Sequence, residues 1–335
     1  MTGDYDSQWE GRHVLVSGAG GFIGSHLVER LAGAGARVRA FVRYTSSGRA
    51  GFLDDLGPGV RSELDVVFGD LRDEDAVRQA VNGVDAVFHL GALIGIPYSY
   101  VHPRETADTN VGGTLNVLLA ARDLGVGRVI LTSSSEVYGT ARYVPIDEQH
   151  PLQAQSPYAA SKIAADKLGE SFSASYGTPI VILRPFNTYG PRQSARAVIP
   201  TIVTQALAGR EVVLGNLLPT RDFTYVADTV DGFLAAGTSD AAVGRVVNLG
   251  TGNEISIGDL VAVIGETLGE SLAISQEDVR VRPGDSEVDR LLSDNRLSRE
   301  LLGWEPRTSL RDGLAATIAW ITENLSRYRV GTHEI

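Results

Sequence analysis

The feature that most restricts this chain is a short apolar run that breaks into regularly spaced glycines. His13 to Ser17 (HVLVS) reads as a buried strand. Gly18, Gly21 and Gly24 follow at three-residue intervals, with Phe22 and Ile23 between the last two, and SHLVERLAGAG then has helical spacing and stops at glycine. The glycines let the backbone turn tightly. The helix start behind them offers N–H donors and a partial positive charge, which suits a pyrophosphate. A strand–helix junction without ligand has the same outline, so the flanking strand and helix carry the weight.

The pattern then repeats. ARVRAFVRYTSS, LDVVFGDLRD, VDAVFHLGALIG and VGRVILTSSS read as further strands, with ADTNVGGTLNVLLAARDLG an amphipathic helix before the last. Strands alternating with helices predict an α/β fold, a doubly wound parallel sheet of Rossmann type with ligands at the strand C-terminal ends. Residues 1–190 are expected to form the dinucleotide-binding domain and 191–330 a smaller, interleaved, mainly substrate-binding lobe. RVVNLGTG (Arg245 to Gly252) reads as a strand, so 220–250 should return to the first unit. EISIGDLVAVIGETLG and SEVDRLLSDNRLSRELLGWEP read as helical, with Asp294 as an N-cap. Arg43 closes the second strand, followed by Thr45, Ser46 and Ser47. NAD sites usually place an acid there, and an arginine suits the 2′-phosphate of NADP. An arginine stacked on adenine is compatible with NAD, so the cofactor is expected to be NAD or NADP, with Arg43 tilting toward NADP.

The chemistry concentrates between Leu131 and Lys162. LTSSSEVYG opens this stretch and Pro157-Tyr158-Ala159-Ala160-Ser161-Lys162 closes it. Tyr158 and Lys162 stand at i and i+4, on one face if a helix begins here. A phenol titrates near pH 10 and is a weak base in neutral water. A neighbouring ammonium lowers that value and a bound nicotinamide cation would add to the effect. Tyr-x-x-x-Lys on its own describes many solvated helix faces. The dinucleotide site upstream gives it meaning.

Composition removes other classes. The net charge of −11 argues against nucleic acid or an anionic membrane as the main partner. The absence of cysteine excludes disulfides, thiolate zinc sites and cysteine nucleophiles, and no metal is expected. No apolar run reaches the roughly 20 residues of a membrane span. The polar N-terminus does not read as a signal peptide, so the expected location is cytoplasmic.

The G-x-x-G-x-x-G spacing together with Ser134, Tyr158 and Lys162 resembles the extended short-chain dehydrogenase/reductases that modify nucleotide sugars. That group comprises hexose 4-epimerases, 4,6-dehydratases and glucuronate decarboxylases. The resemblance implies that Tyr158 deprotonates the sugar 4-hydroxyl, that Lys162 holds the ribose, and that Ser134 completes the hydrogen bonding. It places Gly18, Gly21, Phe22, Ile23, Gly24, Arg43, Asp70, Leu71, Gly91, Ala92 and Asn110 at a tightly bound, recycled cofactor. Asn187, Val198, Arg221 and Arg282 fall to the nucleotide sugar; guanidinium forks suit its diphosphate. Arg221 alone could instead pair with Asp222 or Asp228, and Arg282 with Asp285. The family's 4,6-dehydratases carry Asp-Glu where this chain has Ser135-Glu136. Glu136 is therefore the expected C5 base, and either Glu136 or Ser135 protonates the leaving hydroxyl. ALIGIPYSY, SEVYGTARYVPIDE and FNTYGPRQSARAVIP are similar to the N-acetylglucosamine 4,6-dehydratases of the legionaminic-acid type. The expected activity is thus 4,6-dehydration of an NDP-N-acetylglucosamine, UDP or GDP. A 5,6-dehydratase, a 4-epimerase and a glucuronate decarboxylase are alternatives, and a non-catalytic dinucleotide-binding module is another. The resemblance also implies a homodimer through the helices carrying Asn110 and Tyr158. His89 reads as an oriented core histidine.

Overall fold

The computed structural model describes residues 6–277, 280 and 283–330. Its centre is a seven-stranded sheet. Six strands come in chain order: β1 His13–Ser17, β2 Arg37–Arg43, β3 Asp65–Gly69, β4 Ala86–His89, β5 Arg128–Thr132 and β6 Ile180–Pro185. The seventh, Val246–Leu249, pairs in parallel with β6 at the edge. Across the sheet the order is Val246–Leu249, β6, β5, β4, β1, β2, β3. The winding direction therefore reverses between β1 and β4, and a crevice opens at that reversal, outside the strand C-terminal ends.

Both faces of the sheet are covered, which explains the nearly unbroken apolar strands. Val14 and Val16 of β1 point into one core layer with Leu27, Val28 and Leu31 of the helix α1 (Phe22–Gly33) and with Phe233 of the helix Val226–Thr238. Leu15 points the other way, into a layer with Val81, Leu118 and Phe172. These come from the helices Glu74–Val81, Gly113–Asp123 and Pro157–Tyr176. The parallel register sets Ser17 level with Phe41 and with His89, His89 level with Leu131, and Thr132 level with Leu183. The expected site residues accordingly collect along one edge.

A third apolar cluster joins the later helices. The helices Val198–Leu207, Ile257–Leu268 and Leu310–Glu323 bury Ile202, Leu260, Ile264, Leu314 and Ile321 together. The sequence SEVDRLLSDN departs from expectation: helix is confined to Arg296–Leu302. The apolar spacing there suggests a helical stripe, but Val288 and Leu291 are buried with Tyr138 and Phe186 from another part of the fold. Bridges link Thr220 with Arg290 and Ile146 with Ser293, and Ser293 N donates to Asp222. Tertiary pairing thus outweighs local periodicity. Asn295 takes the cap position, while the Asp294 carboxylate accepts from Arg296 N at 2.9 Å.

Candidate active site

Local capping sets where the helix Pro157–Tyr176 begins. Ser156 accepts from Ala159 N at 3.1 Å and Pro157 occupies the first turn, where its missing N–H costs nothing. Tyr158 and Lys162 then fall on the buried side, at 7% and 6% exposure. Ser99 Oγ accepts from Tyr158 N at 3.3 Å. Lys162 Nζ donates to the Thr132 carbonyl at 2.9 Å and ties the helix to the end of β5. Just past that end, Ser134 Oγ accepts from Glu136 N at 3.2 Å and caps the single turn Ser135–Tyr138. Ser134, Glu136, Tyr158 and Lys162 thus share one site. Ser135 shares the turn but is buried, at 3% exposure.

Burial dominates the electrostatics. It pushes the Tyr158 phenol up to about 12; Ser134 opposes by hydrogen bonding, and the charges of Glu136 and Asp166 add to the rise. Burial pulls the Lys162 ammonium down to about 8, with Asp166 opposing. The expected lowering of the phenol by its lysine is not seen: Ser134 is the group that lowers it, and in the protein alone the lysine loses its proton first. His89 has both ring nitrogens engaged, with Ser17 Oγ at 2.7 Å and Thr114 Oγ1 at 3.0 Å. Burial, aided by Lys162, pulls it down to about 3, so it is a neutral, oriented core residue.

The glycines let the turn fold tightly on itself and against the loop after β4. Gly18 has φ +71°, and a Cβ there would meet Gly91 backbone at 2.8 Å. A Cβ on Gly24 would stand 2.2 Å from the Gly18 carbonyl oxygen. Gly21 caps α1 without a side chain, and Phe22 and Ile23 open the helix, so its first N–H groups face the turn. A backbone cradle at a helix N-terminus, with Lys162 and Tyr158 opposite, fits a nicotinamide dinucleotide. The other expected cofactor residues shape its surroundings. Leu71 packs where a Cβ on Gly91 or Gly113 would collide with it, at 2.7 and 2.8 Å. Ala92 lies in the loop after β4, next to Leu93, whose N and O are held by the Asn110 amide at 2.7 and 2.9 Å. Asn110 Nδ2 also donates to Ser161 Oγ. Its polar atoms thus fix the loop and helix rather than face outward. Asp70 accepts both arms of Arg72, and Arg43 pairs with Glu105 at 3.5 Å.

On the substrate side, Asn187 opens a short strand that pairs with Phe223–Tyr225, and its Oδ1 is buried without a hydrogen-bonding partner. Such an orphan acceptor is what a ligand contact leaves behind. Val198 begins its helix behind Ala197, which supplies no side-chain cap. Arg221 is buried and donates to Thr220 O at 2.9 Å, with Glu287 at 3.5 Å, while Asp222 holds the Thr251, Gly252 and Ser293 backbone instead. Arg282 lies outside the described residues.

The profile of the GDP-mannose 4,6 dehydratase family matches residues 15–317. The chain belongs to the nucleotide-sugar dehydratases and epimerases of the extended short-chain dehydrogenase/reductase family. A dTDP-glucose 4,6-dehydratase of Streptomyces griseus is 37% identical over 94% of this chain and 95% of its own length. A UDP-glucose 4-epimerase of Mycolicibacterium smegmatis is also 37% identical, over 91% of this chain and 96% of that protein. Among solved structures, the dTDP-glucose 4,6-dehydratase DesIV of Streptomyces venezuelae, determined with NAD bound, superposes with a TM-score of 0.86 at 30% identity, covering 95% of this chain and 99% of that one. Membership makes the chain an NAD-dependent nucleotide-sugar enzyme. Relatives of both reaction types stand equally close, so the family alone leaves the reaction to be argued from the site. Among the described residues no helix is long and apolar enough to cross a membrane, and no metal-binding cluster occurs.

Proposed function

We propose that this enzyme dehydrates an NDP-N-acetylglucosamine, with UDP or GDP as the nucleotide, across C5 and C6. The observation that carries the reading is Glu136, whose charge bears directly on the Tyr158 phenol from the turn after β5. A base and a carboxylate thus converge on one sugar ring. When bound, the nicotinamide supplies a reversible hydride acceptor. Tyr158, as the phenolate that a bound nicotinamide cation and the Lys162 ammonium would favour against burial, takes the 4-hydroxyl proton as that carbon becomes a ketone, with Ser134 hydrogen-bonded to the phenol. The ketone acidifies C5–H, and Glu136 removes that proton. The 6-hydroxyl then leaves as water on receiving a proton. Ser135 is buried and a poor acid, so Glu136 returns its own proton to O6 in a syn elimination; hydride return to C6 and a solvent proton at C5 then complete the 6-deoxy-4-keto sugar.

A 4-epimerase would have no use for Glu136. A glucuronate decarboxylase needs a cation at C6; Arg192 is engaged by Glu29 at 2.8 Å and Ser25 at 3.3 Å, which leaves Arg196, near Gly95, as the cation that reading would use. A 5,6-dehydratase shares the elimination and differs in returning hydride to C4. A non-catalytic module would not need Ser134, Tyr158 and Lys162 in one place. The N-acetylglucosamine assignment rests on the likeness of the flanking strings. We take NAD over NADP because Arg43 and Glu105, like Asp70 and Arg72, already form opposed pairs where a 2′-phosphate would sit. We further propose a cytoplasmic homodimer through the helices carrying Asn110 (Asp108–Gly112, continuing into Gly113–Asp123) and Tyr158 (Pro157–Tyr176), which sedimentation would test. Arg221 and Asn187 are assigned to the diphosphate.

The test is incubation with UDP-, GDP-, CDP- and dTDP-sugars in deuterated water, read by mass spectrometry and proton NMR. Loss of water with a 6-deoxy methyl signal and deuterium at C5 is expected. An exocyclic alkene would select 5,6-dehydration, C4 inversion at constant mass would select epimerisation, and loss of carbon dioxide would select decarboxylation.

A further inference from the structure

One buried charge pair next to the site has no part in the chemistry described above. Asp166 lies one helical turn beyond Lys162, and Arg184 reaches it from β6 with Nε at 3.0 Å and a terminal nitrogen at 2.9 Å. Both side chains are 2% exposed. Arg184 also donates to Tyr138 OH at 2.9 Å, and Tyr138 OH donates to Asn248 Oδ1 at 2.7 Å. Asn248 N donates in turn to Glu148 at 2.8 Å. The carboxylate is thus anchored through three further elements of the fold. A buried ion pair is generally no more stabilising than apolar packing of the same volume, so stability alone does not explain it.

The chain contains two lysines, Lys162 and Lys167, among its 30 basic residues. Lys167 is exposed and pairs with Glu170 at 2.7 Å. The groups bearing on Lys162 are Asp166 from its own helix, neutral His89 from β4, the Thr132 carbonyl from β5 and, behind Asp166, Arg184 from β6. Glu136 stands beyond Tyr158. Of the charged groups among these, Asp166 is the one that works against the desolvation of the ammonium.

We propose that Asp166 is a positioning residue for the Tyr158–Lys162 couple: pinned by Arg184, its carboxylate keeps Lys162 cationic in a dry site. The proposal rests on Lys162 serving as the site's cation, and it is tested without turnover. In the full-length protein carrying ε-¹³C lysine, two signals titrate, and Lys167 serves as the internal control. Asp166→Asn should lower the Lys162 midpoint by about one pH unit or more, the usual size of an opposite-charge effect at close range, with Lys167 unmoved. That variant strands the Arg184 charge and endangers folding. The double variant D166N/R184M removes both charges and should still titrate Lys162 below wild type, whereas Asp166→Glu should restore the midpoint. In the folded variants the alkaline limb of NAD binding should move down with it. An unchanged Lys162 midpoint in D166N/R184M would reduce Asp166 to a structural role and overturn the proposal. Failure of the dehydratase reading would show separately, as wild-type protein inactive on every nucleotide sugar while the lysine still shifts.

Discussion

Gly24→Ala is the sharpest probe of the cofactor cradle. The added Cβ would stand 2.2 Å from the Gly18 carbonyl oxygen, 2.9 Å from its carbon and 3.0 Å from Ala19 Cα. All three are backbone atoms, so no side chain can swing aside. Restoring an ordinary carbon–oxygen contact of about 3.3 Å requires the start of α1 to retreat by about 1 Å. A misplacement of that size around a positioned ligand costs on the order of 10²-fold. The crowding itself should cost about 1–3 kcal/mol. Calorimetric titration of nucleotide-stripped protein with NAD reads the first quantity, and urea unfolding reads the second. Gly33→Ala on the same helix is the control. A Cβ there meets nothing within 4 Å, so stability should rise by up to about 1 kcal/mol with NAD binding unchanged. Wild-type NAD affinity and stability in Gly24→Ala would refute the cradle.

Three further outcomes are expected. Ser156→Ala removes the cap that places Tyr158 and should cost about 1 kcal/mol, seen as a lower urea midpoint. Lys162 sheds its proton near pH 8 in the native protein, against 10.5 for the free side chain. The unfolded chain therefore holds more protons in that window. Wild type should gain stability relative to Lys162→Met as pH rises from 8 to 10.5, while NAD binding by wild type weakens over the same range. Tyr158→Phe should retain NAD and lose substrate oxidation, checked by reduced-nicotinamide absorbance on adding substrate.

The parts of this molecule that sequence made legible are those written locally. The glycines from Gly18 to Gly24 sit between strand and helix, and Tyr158 and Lys162 lie one turn apart, so spacing alone brings them together. Even the returning strand Val246–Leu249 carries its own apolar run. What escaped were partnerships between distant residues. Ser99 meets Tyr158 N across 59 positions, and Asn110 reaches Ser161 across 51. Arg43 is met by Glu105, whose approach depends on how the segment after β4 folds back. The sign of the Tyr158 shift is hidden for a related reason: a neighbouring lysine is visible in the sequence, but the depth of burial that sets the shift is not. Val288 and Leu291 read as a helix until the Tyr138 cluster claims them.

If Glu136 is the base at C5, Glu136→Gln should stop the reaction after C4 oxidation. The variant and wild type are incubated with the nucleotide sugar that wild type consumes, in deuterated water, and the C5 position is followed by proton NMR. Glu136→Gln should still bind NAD and still oxidise C4, with reduced nicotinamide accumulating, but place no deuterium at C5 and release no water. Deuterium entering C5 at the wild-type rate would contradict that assignment and move the base elsewhere in the site.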